Sequence, residues 1–326
     1  MELNGGTGPI KHMISFGSFM EVYKADKTFR IRTPDSVDPS NSDPNAPWLV
    51  QDTAAVGCAH PIVARLIIQS RRFLKEVVVT RKIDDNAALD ILHRAKEGLL
   101  ACEAAMLKLH KAVHTIVDAV DAEGVRWSKD ARAINPFPHV NDLEALCAEF
   151  LVKANRHVRT ICDLTSCFVD LDRKHSNFDH LHKELEAKVG PDAPLTELVA
   201  LNREFIRRIV ELRNFEEHKG ESRTVVHNFD LGPAPDYPLV APSWEVQGVV
   251  VHPREDICRD SHQIIGGLLE LTEWTVIYGV MLWCDPRFGH YVVEIDAANV
   301  DAACPVLYRP AFNLHELYEK PADTAE

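Results

Sequence analysis

The sequence lacks a CxxC pair, although it contains eight cysteines. The cysteines fall mostly within apolar helical segments and show no regular framework spacing, so we expect reduced, buried thiols. The N-terminal segment MELNGGTGPIKHMISFG lacks the basic start and the apolar run of about 7–15 residues that a secretory signal contains. These two absences predict a cytoplasmic protein that is not exported.

Long uncharged apolar runs are also missing. The most apolar stretch, IIGGLLELTEWTVIYGVMLWC, is interrupted by Glu270 and Glu273. A membrane-spanning helix needs about 20 largely uncharged residues. We therefore expect this stretch to be a buried core helix, and we expect no membrane partner.

Positive charge is scarce. The chain carries 36 lysines and arginines against 49 aspartates and glutamates, which gives a formal net charge of −13. Unspecific binding to nucleic acid depends mainly on neutralisation of phosphates by lysine and arginine. The acidic balance therefore excludes a general nucleic-acid-coating protein, and any nucleic-acid site must be local.

What the sequence does contain is helical periodicity. Apolar residues recur three and four positions apart in several long segments, which predicts helices. Looser alternation of apolar residues predicts short strands near both ends of the chain and after residue 220. The predicted fold class is mainly α (α+β). The predicted helices cover residues 60–76, 84–122, 141–173, 177–190, 194–219 and 254–284.

The breaks between these segments predict how the chain is organised. Proline-rich and polar stretches interrupt the periodicity, and strands and helices cluster instead of alternating. We predict an N-terminal β-hairpin and loop at 1–57, a helical bundle at 58–220 completed by a helix at 254–284, a β insertion at 221–253, and C-terminal strands with a polar tail at 285–326.

The strongest functional signal lies at the end of the helix predicted at 194–219. The segment ELRNFEEHKG places Arg213, Asn214 and His218 just before Gly220. In a regular helix Arg213 and His218 point about 140° apart, so they converge only if the helix ends near residue 218. A following glycine favours such an end. The negative end of the helix dipole also favours a protonated histidine there.

These residues suit cleavage of an RNA phosphodiester without a metal ion. Arg213 would hold and stabilise the phosphate, and His218 would act as general acid or base. Asn214 would support the geometry of the site. Arg207 and Arg203 lie on the same polar face and are predicted to bind substrate. The RNA 2′-hydroxyl supplies the nucleophile, so no cofactor is required.

The segment RNFEEH, from Arg213 to His218, resembles the motif of the HEPN superfamily, in which an arginine, often followed by asparagine or aspartate, precedes a histidine. The resemblance implies a HEPN-like helical bundle that forms a homodimer, with Arg213 and His218 lining the cleft. It implies RNA as the substrate, with cleavage that leaves a cyclic phosphate. It also implies a toxin or defence role, with a separate antitoxin or other protein partner.

A noncatalytic HEPN-like module that binds RNA, a nucleotide or a protein is the alternative function. Arg213 and Glu217 are four residues apart, so they would equally form a surface ion pair with no catalytic role. Looser pairs of arginine and histidine sit beside prolines or in irregular segments, and we interpret them as accidental. They are Arg132/His139, Arg173/His180 and Arg309/His315.

A helical-bundle metalloenzyme is a third, less favoured hypothesis. The segment HKAVH places His110 and His114 one helical turn apart, and Glu103 and Asp118 extend the same stripe. Helices present metal ligands at this spacing. However, the sequence contains no HEXXH motif and no second set of ligands with signature spacing. We therefore predict no metal site, with His110 and His114 as the alternative.

Overall fold

The computed structural model describes residues 3, 5–17, 19–129, 132–217 and 220–313. Its helices are α1 (Pro34–Val37), α2 (Pro61–Val63), α3 (Ser70–Glu76), α4 (Asp85–Glu123), α5 (Leu143–Thr165), α6 (Phe178–Val189), α7 (Pro194–Leu201), α8 (Arg203–Glu217) and α9 (Ile257–Met281), with a π-helical segment at Ala64–Gln69 and 3₁₀ turns at Pro286–Phe288 and Ala297–Asn299.

Within these described residues, the strands form four small antiparallel sheets with the orders β1-β2-β3-β4, β5-β8-β9, β6-β7 and β10-β11. They are β1 (His12–Phe16), β2 (Phe19–Tyr23), β3 (Thr28–Arg32), β4 (Leu49–Ala54), β5 (Ser222–His227), β6 (Asp230–Leu231), β7 (Leu239–Val240), β8 (Ser243–Gly248), β9 (His252–Asp256), β10 (His290–Glu294) and β11 (Tyr308–Phe312).

The long helices α4, α5 and α9 pack against one another and contribute about half of the buried residues of the main core, and α8 packs on α5. Helix α4 begins where the Asp84 side chain accepts hydrogen bonds from the backbone N–H groups of Asn86 and Ala87. Asp256 caps α9 in the same way. An aspartate at this position satisfies donors that have no partner within the helix.

The sheets are part of the core. From the first sheet, Ile14, Phe16 and Tyr23 are buried in the main core. From β8, Trp244 is fully buried and stacks on Phe150 of α5, with the ring centroids 6.1 Å apart. The strands therefore contribute apolar area that the helices need for burial, and they are not peripheral additions.

The predicted fold class, a mainly α HEPN-like helical bundle with small appended strands, is wrong. The protein is about 49% helix and 18% strand with several small antiparallel sheets, and it is a mixed α/β protein. Strands β4 and β9 have mostly exposed or half-buried side chains. Such strands lack the alternation of apolar and polar residues from which strands are predicted, so the sequence underestimated the sheets.

Two predicted helices also end differently. The segment predicted as one helix at 194–219 is divided into α7 and α8 at Asn202, whose side-chain amide donates to the Leu198 carbonyl oxygen at 2.8 Å. An asparagine that bonds to the backbone in this way competes with the regular helix. The helix predicted at 141–173 ends at Thr165.

Among the described helices, α9 is long and apolar enough to cross a membrane, and 67% of its most apolar window is buried inside the protein. Its Glu273 is fully buried and accepts hydrogen bonds from Arg65 and Gln69. The cytoplasmic location and the lack of a membrane partner stay predictions.

Candidate functional site at the end of helix α8

Helix α8 is held in place by its apolar face and by an ion pair to α9. Ile206, Ile209 and Leu212 are buried. Arg208 forms a two-pronged ion pair with Asp260 of α9, with nitrogen–oxygen distances of 2.7 and 2.6 Å. Because these contacts are buried or half-buried, they fix the direction of the helix.

The C-terminal half of α8 is joined to strand β5 by a hydrogen bond. The Thr224 hydroxyl donates to the Leu212 carbonyl oxygen at 2.8 Å. The described part of the helix ends at Glu217, and β5 begins at Ser222. The chain therefore changes from helix to strand within a few residues of the predicted site.

Arg213 and Asn214, two of the predicted catalytic residues, contact each other. Arg213 Nη1 donates to Asn214 Oδ1 at 3.0 Å, and the guanidinium also forms an ion pair with Glu217. The Arg213 side chain is 21% exposed, and that of Glu217 is 46% exposed. The ion pair of the noncatalytic alternative is thus present. His218, the predicted acid or base, lies outside the described residues, as does His315 of a looser pair.

The predicted substrate-binding residues Arg203 and Arg207 line one groove together with Asn214. The groove has a volume of about 280 Å³, and its opposite wall is formed by residues at the start of α6, including Asn177 and Phe178. Arg213 is not among its described lining residues. It adjoins the groove through its hydrogen bond to Asn214.

Both groove arginines bind Asp179 of α6. Arg203 Nη2 and Arg207 Nη2 donate to Asp179 Oδ1 at 2.9 and 2.7 Å. Arg207 also binds Glu204 at 2.6 Å. The hydrogen bond from Arg207 is the main cause that lowers the pKa of Asp179, and the same bond raises the pKa of Arg207. A phosphate entering the groove would compete with Asp179 for these donors.

Sequence reasoning missed Asp179. The residue lies 24 and 28 positions before the two arginines, on another helix. Its only sequence signal is an acidic residue in the first turn of a helix, where the helix dipole favours negative charge. That signal does not indicate which side chains Asp179 will contact.

The alternative metal ligands His110 and His114 lie side by side, with their ring centroids 5.9 Å apart. His110 Nε2 is 2.8 Å from the Ser261 hydroxyl, and burial lowers the pKa of His110. Glu103 instead pairs with His60 at 3.1 Å. Two of the four residues in the predicted metal-binding stripe, His110 and Glu103, therefore already contact other side chains.

Within the described part of the chain, the group of potential metal ligands that converges is Glu21, His93 and Glu97, whose ligand atoms lie within 4.8 Å of one another. Sequence reasoning missed this group, because Glu21 on β2 is more than 70 residues away from His93 on α4. The sequence around a single glutamate in a hairpin does not indicate that a histidine on a distant helix will contact it.

Both oxygens of the Glu21 carboxylate already accept hydrogen bonds. It accepts from Tyr23 at 2.5 Å, Lys96 at 2.6 Å, His93 at 2.8 Å and Arg30 at 3.2 Å. Burial alone would raise the pKa of Glu21, but the hydrogen bonds from His93, Lys96 and Tyr23 and the charge of Lys96 hold it well below its usual range. A metal ion would have to displace the Lys96 ammonium, so these residues fit a structural ion network better than a metal centre.

No protein-family model, no curated protein and no solved structure matches the chain. The resemblance to the HEPN superfamily therefore rests on the segment from Arg213 to His218.

Proposed function

We propose that the protein is a metal-independent endoribonuclease whose active site lies at the C-terminal end of α8. The observation that carries the proposal is the hydrogen bond between Arg213 and Asn214 beside a groove lined by Arg203 and Arg207. Guanidinium groups recognise phosphate oxygens through paired donors. The resemblance of RNFEEH to the HEPN motif supports the same function.

The proposed reaction uses the RNA 2′-hydroxyl as the nucleophile. This oxygen attacks the adjacent phosphorus, and the 5′-oxygen of the next nucleotide leaves, which yields a 2′,3′-cyclic phosphate and a free 5′-hydroxyl. His218 takes the proton of the 2′-hydroxyl or protonates the leaving oxygen. Arg213 stabilises the negative charge that develops on the phosphate oxygens, while Asn214 holds the guanidinium in position.

A homodimer would complete this chemistry. Cleavage requires one group that removes a proton and another that delivers one. If the ends of two α8 helices face each other, His218 of one protomer acts as the base and His218 of its partner acts as the acid. In the proposed toxin or defence role, a separate protein would inhibit the activity.

Substrate can reach the arginines because the competing carboxylates are partly exposed. The side chain of Glu217 is 46% exposed and that of Asp179 is 35% exposed. Ion pairs at exposed positions contribute only about 0–1 kcal/mol. A multiply contacted RNA phosphate can therefore displace them at small cost.

A noncatalytic RNA-binding module is the second candidate. The observation that favours it is the ion pair between Arg213 and Glu217, which satisfies the guanidinium without a substrate. In this function the same groove binds RNA phosphates, and His218 transfers no proton.

The two candidates are separated by cleavage assays on Arg213→Ala and His218→Ala, alongside RNA-binding measurements. Removing a general acid or base typically costs about 10²–10⁴-fold in rate, so we expect losses of that size with nearly unchanged thermal unfolding. His139→Ala is the matched control, because exposed His139 belongs to one of the looser pairs.

Equal cleavage by the wild type and both variants would end the catalytic proposal. RNA that is bound by the wild type without being cut, and bound more weakly by Arg213→Ala, would support the noncatalytic module instead.

A further inference from the structure

A second pocket lies between α4, the C-terminal part of α5 and the loop that leads to α6. Its volume is about 400 Å³, near the lower end of the range of about 300–1,000 Å³ that is typical of small-molecule sites. Its lining combines apolar, hydroxyl and cationic side chains, including Ile91, Leu171, Ser166, Arg94, Arg173 and Lys174.

The pocket is locally positive in an acidic protein. Among the described residues that line it, three are lysine or arginine and Asp163 is the one carboxylate, whereas the whole chain has a net charge of −13. Arg94 forms an ion pair with Asp163, with a nitrogen–oxygen distance of 3.6 Å that is too long for a hydrogen bond. Neither Arg173 nor Lys174 has a hydrogen bond or ion pair to any other residue that the structure describes.

The loop that carries these two cations is tied to α6 on both sides of them. Glu184 accepts hydrogen bonds from the backbone N–H of Asp172 and from His175 Nε2, the latter at 2.5 Å. The carboxylate of Asp172 binds Lys188 at 2.6 Å. The acidic neighbours of the loop are therefore engaged with α6, and Arg173 remains available to a ligand.

We propose that this pocket binds a small phosphate monoester of about the size of a nucleoside monophosphate. A phosphate monoester carries a charge of about −1.5 to −2 at neutral pH, which matches three cations set against one carboxylate. Ile91 and Leu171 provide apolar contact for the organic part of the ligand. Cys162 also lines the pocket. Its thiol is uncharged at neutral pH, because burial raises its pKa to about 12.

This pocket is separate from the RNA site proposed on α8. Helix α6 contributes Asp179 to the α8 groove and Glu184 to the loop of the second pocket. The two sites therefore use different residues of the same helix, and binding in the second pocket does not depend on RNA cleavage.

Calorimetric titration of the full chain at low salt tests the proposal with AMP, adenosine and inorganic phosphate as probes. We expect AMP to bind, adenosine not to bind, and inorganic phosphate to bind at least about 10-fold more weakly than AMP. The double variant Arg173→Gln/Lys174→Gln should weaken AMP binding at least about 10-fold, because it removes two of the three cationic side chains that line the pocket.

The matched control is Lys111→Gln/Lys183→Gln, which removes the same charge from exposed positions that are not among the residues lining the pocket. It should bind AMP like the wild type. All four replaced side chains are exposed, and thermal unfolding checks that both variants fold.

Absence of AMP binding by the wild type, or equal AMP affinity in the wild type and Arg173→Gln/Lys174→Gln, would overturn the proposal. Inorganic phosphate binding as tightly as AMP would overturn the assignment of an organic ligand.

Discussion

The Glu21 network and the end of α8 contain the same kinds of charged groups in different surroundings. In the first, Glu21 is 0% exposed and Lys96 is 1% exposed. In the second, Arg213 is 21% exposed and Asp179 is 35% exposed. Buried charges need permanent partners, whereas partly exposed charges can exchange a partner for a ligand. Burial therefore favours a structural role for the Glu21 network, whereas the partly exposed charges at the end of α8 can exchange partners, as the proposed RNA site requires.

The first prediction concerns the buried network. Glu21→Gln removes the fully buried carboxylate that pairs with Lys96 and leaves Lys96 only its contact with the half-exposed Glu97. Breaking a buried ion pair from one side typically costs about 3–5 kcal/mol, so we expect a loss of that size in the free energy of unfolding, measured by urea denaturation.

Asp170→Asn is the control for Glu21→Gln, because Asp170 pairs with Arg81 at the surface. It should cost less than about 1 kcal/mol. A similarly small loss in Glu21→Gln would contradict the structural role of the network.

The second prediction concerns His157, a buried histidine that bonds to the Thr272 hydroxyl at 2.9 Å. Burial lowers its pKa from 6.5 to about 4. The unfolded chain therefore takes up a proton at a higher pH than the folded protein does. The stabilisation is complete above about pH 6.5, and about 2 kcal/mol of it is lost between pH 6.5 and 5.

Urea denaturation at pH 7, 6 and 5 measures the free energy of unfolding at each pH. It should fall towards pH 5 in the wild type and should fall less in His157→Gln. The same dependence on pH in both proteins would rule out His157 as the cause. The window above pH 5 lies above the ordinary titration range of carboxylates, so Glu21 does not contribute to the difference.

The third prediction concerns the carboxylate of Asp179, which holds the two arginines of the α8 groove. Asp179→Asn removes the carboxylate that binds Arg203 and Arg207. Because these side chains are partly exposed, the loss of stability should be about 1 kcal/mol or less. RNA affinity at low salt should rise about threefold, since two guanidinium groups become available to phosphate. Fluorescence anisotropy with labelled RNA measures this change, and Asp170→Asn, which removes the same charge elsewhere, should show a smaller increase.

The smallest expected effect comes from Glu217→Gln. The ion pair between Arg213 and Glu217 joins residues one helical turn apart, a geometry worth about 0.3–0.5 kcal/mol. We therefore expect nearly unchanged unfolding and about twofold tighter RNA binding. A large loss of stability would show that this pair resembles the Glu21 network more closely than its exposure indicates.

The sequence predicted well those features that depend on local spacing. Helix α4 lies at Asp85–Glu123, where apolar periodicity predicted a helix at 84–122. Arg203, Arg207 and Asn214 line one groove, because the helical period alone places them on one face.

Features that depend on distant contacts were not predicted. The fold class was wrong because strands such as β4 expose most of their side chains. Asp179 and the Glu21 network were missed because their partners are far away in sequence. A pattern in one segment does not determine which other segment will pack against it.

The most direct test of the proposed activity is cleavage by the wild type in excess EDTA of an RNA oligonucleotide and of the same oligonucleotide with 2′-deoxyribose at the mapped cleavage site. We expect the RNA to be cut with a 2′,3′-cyclic phosphate at the new end, and the deoxy-substituted site to remain intact. Cutting of the deoxy site, or cleavage that disappears when divalent metal ions are removed, would contradict a site in which RNA supplies the nucleophile and the end of α8 supplies the remaining chemistry.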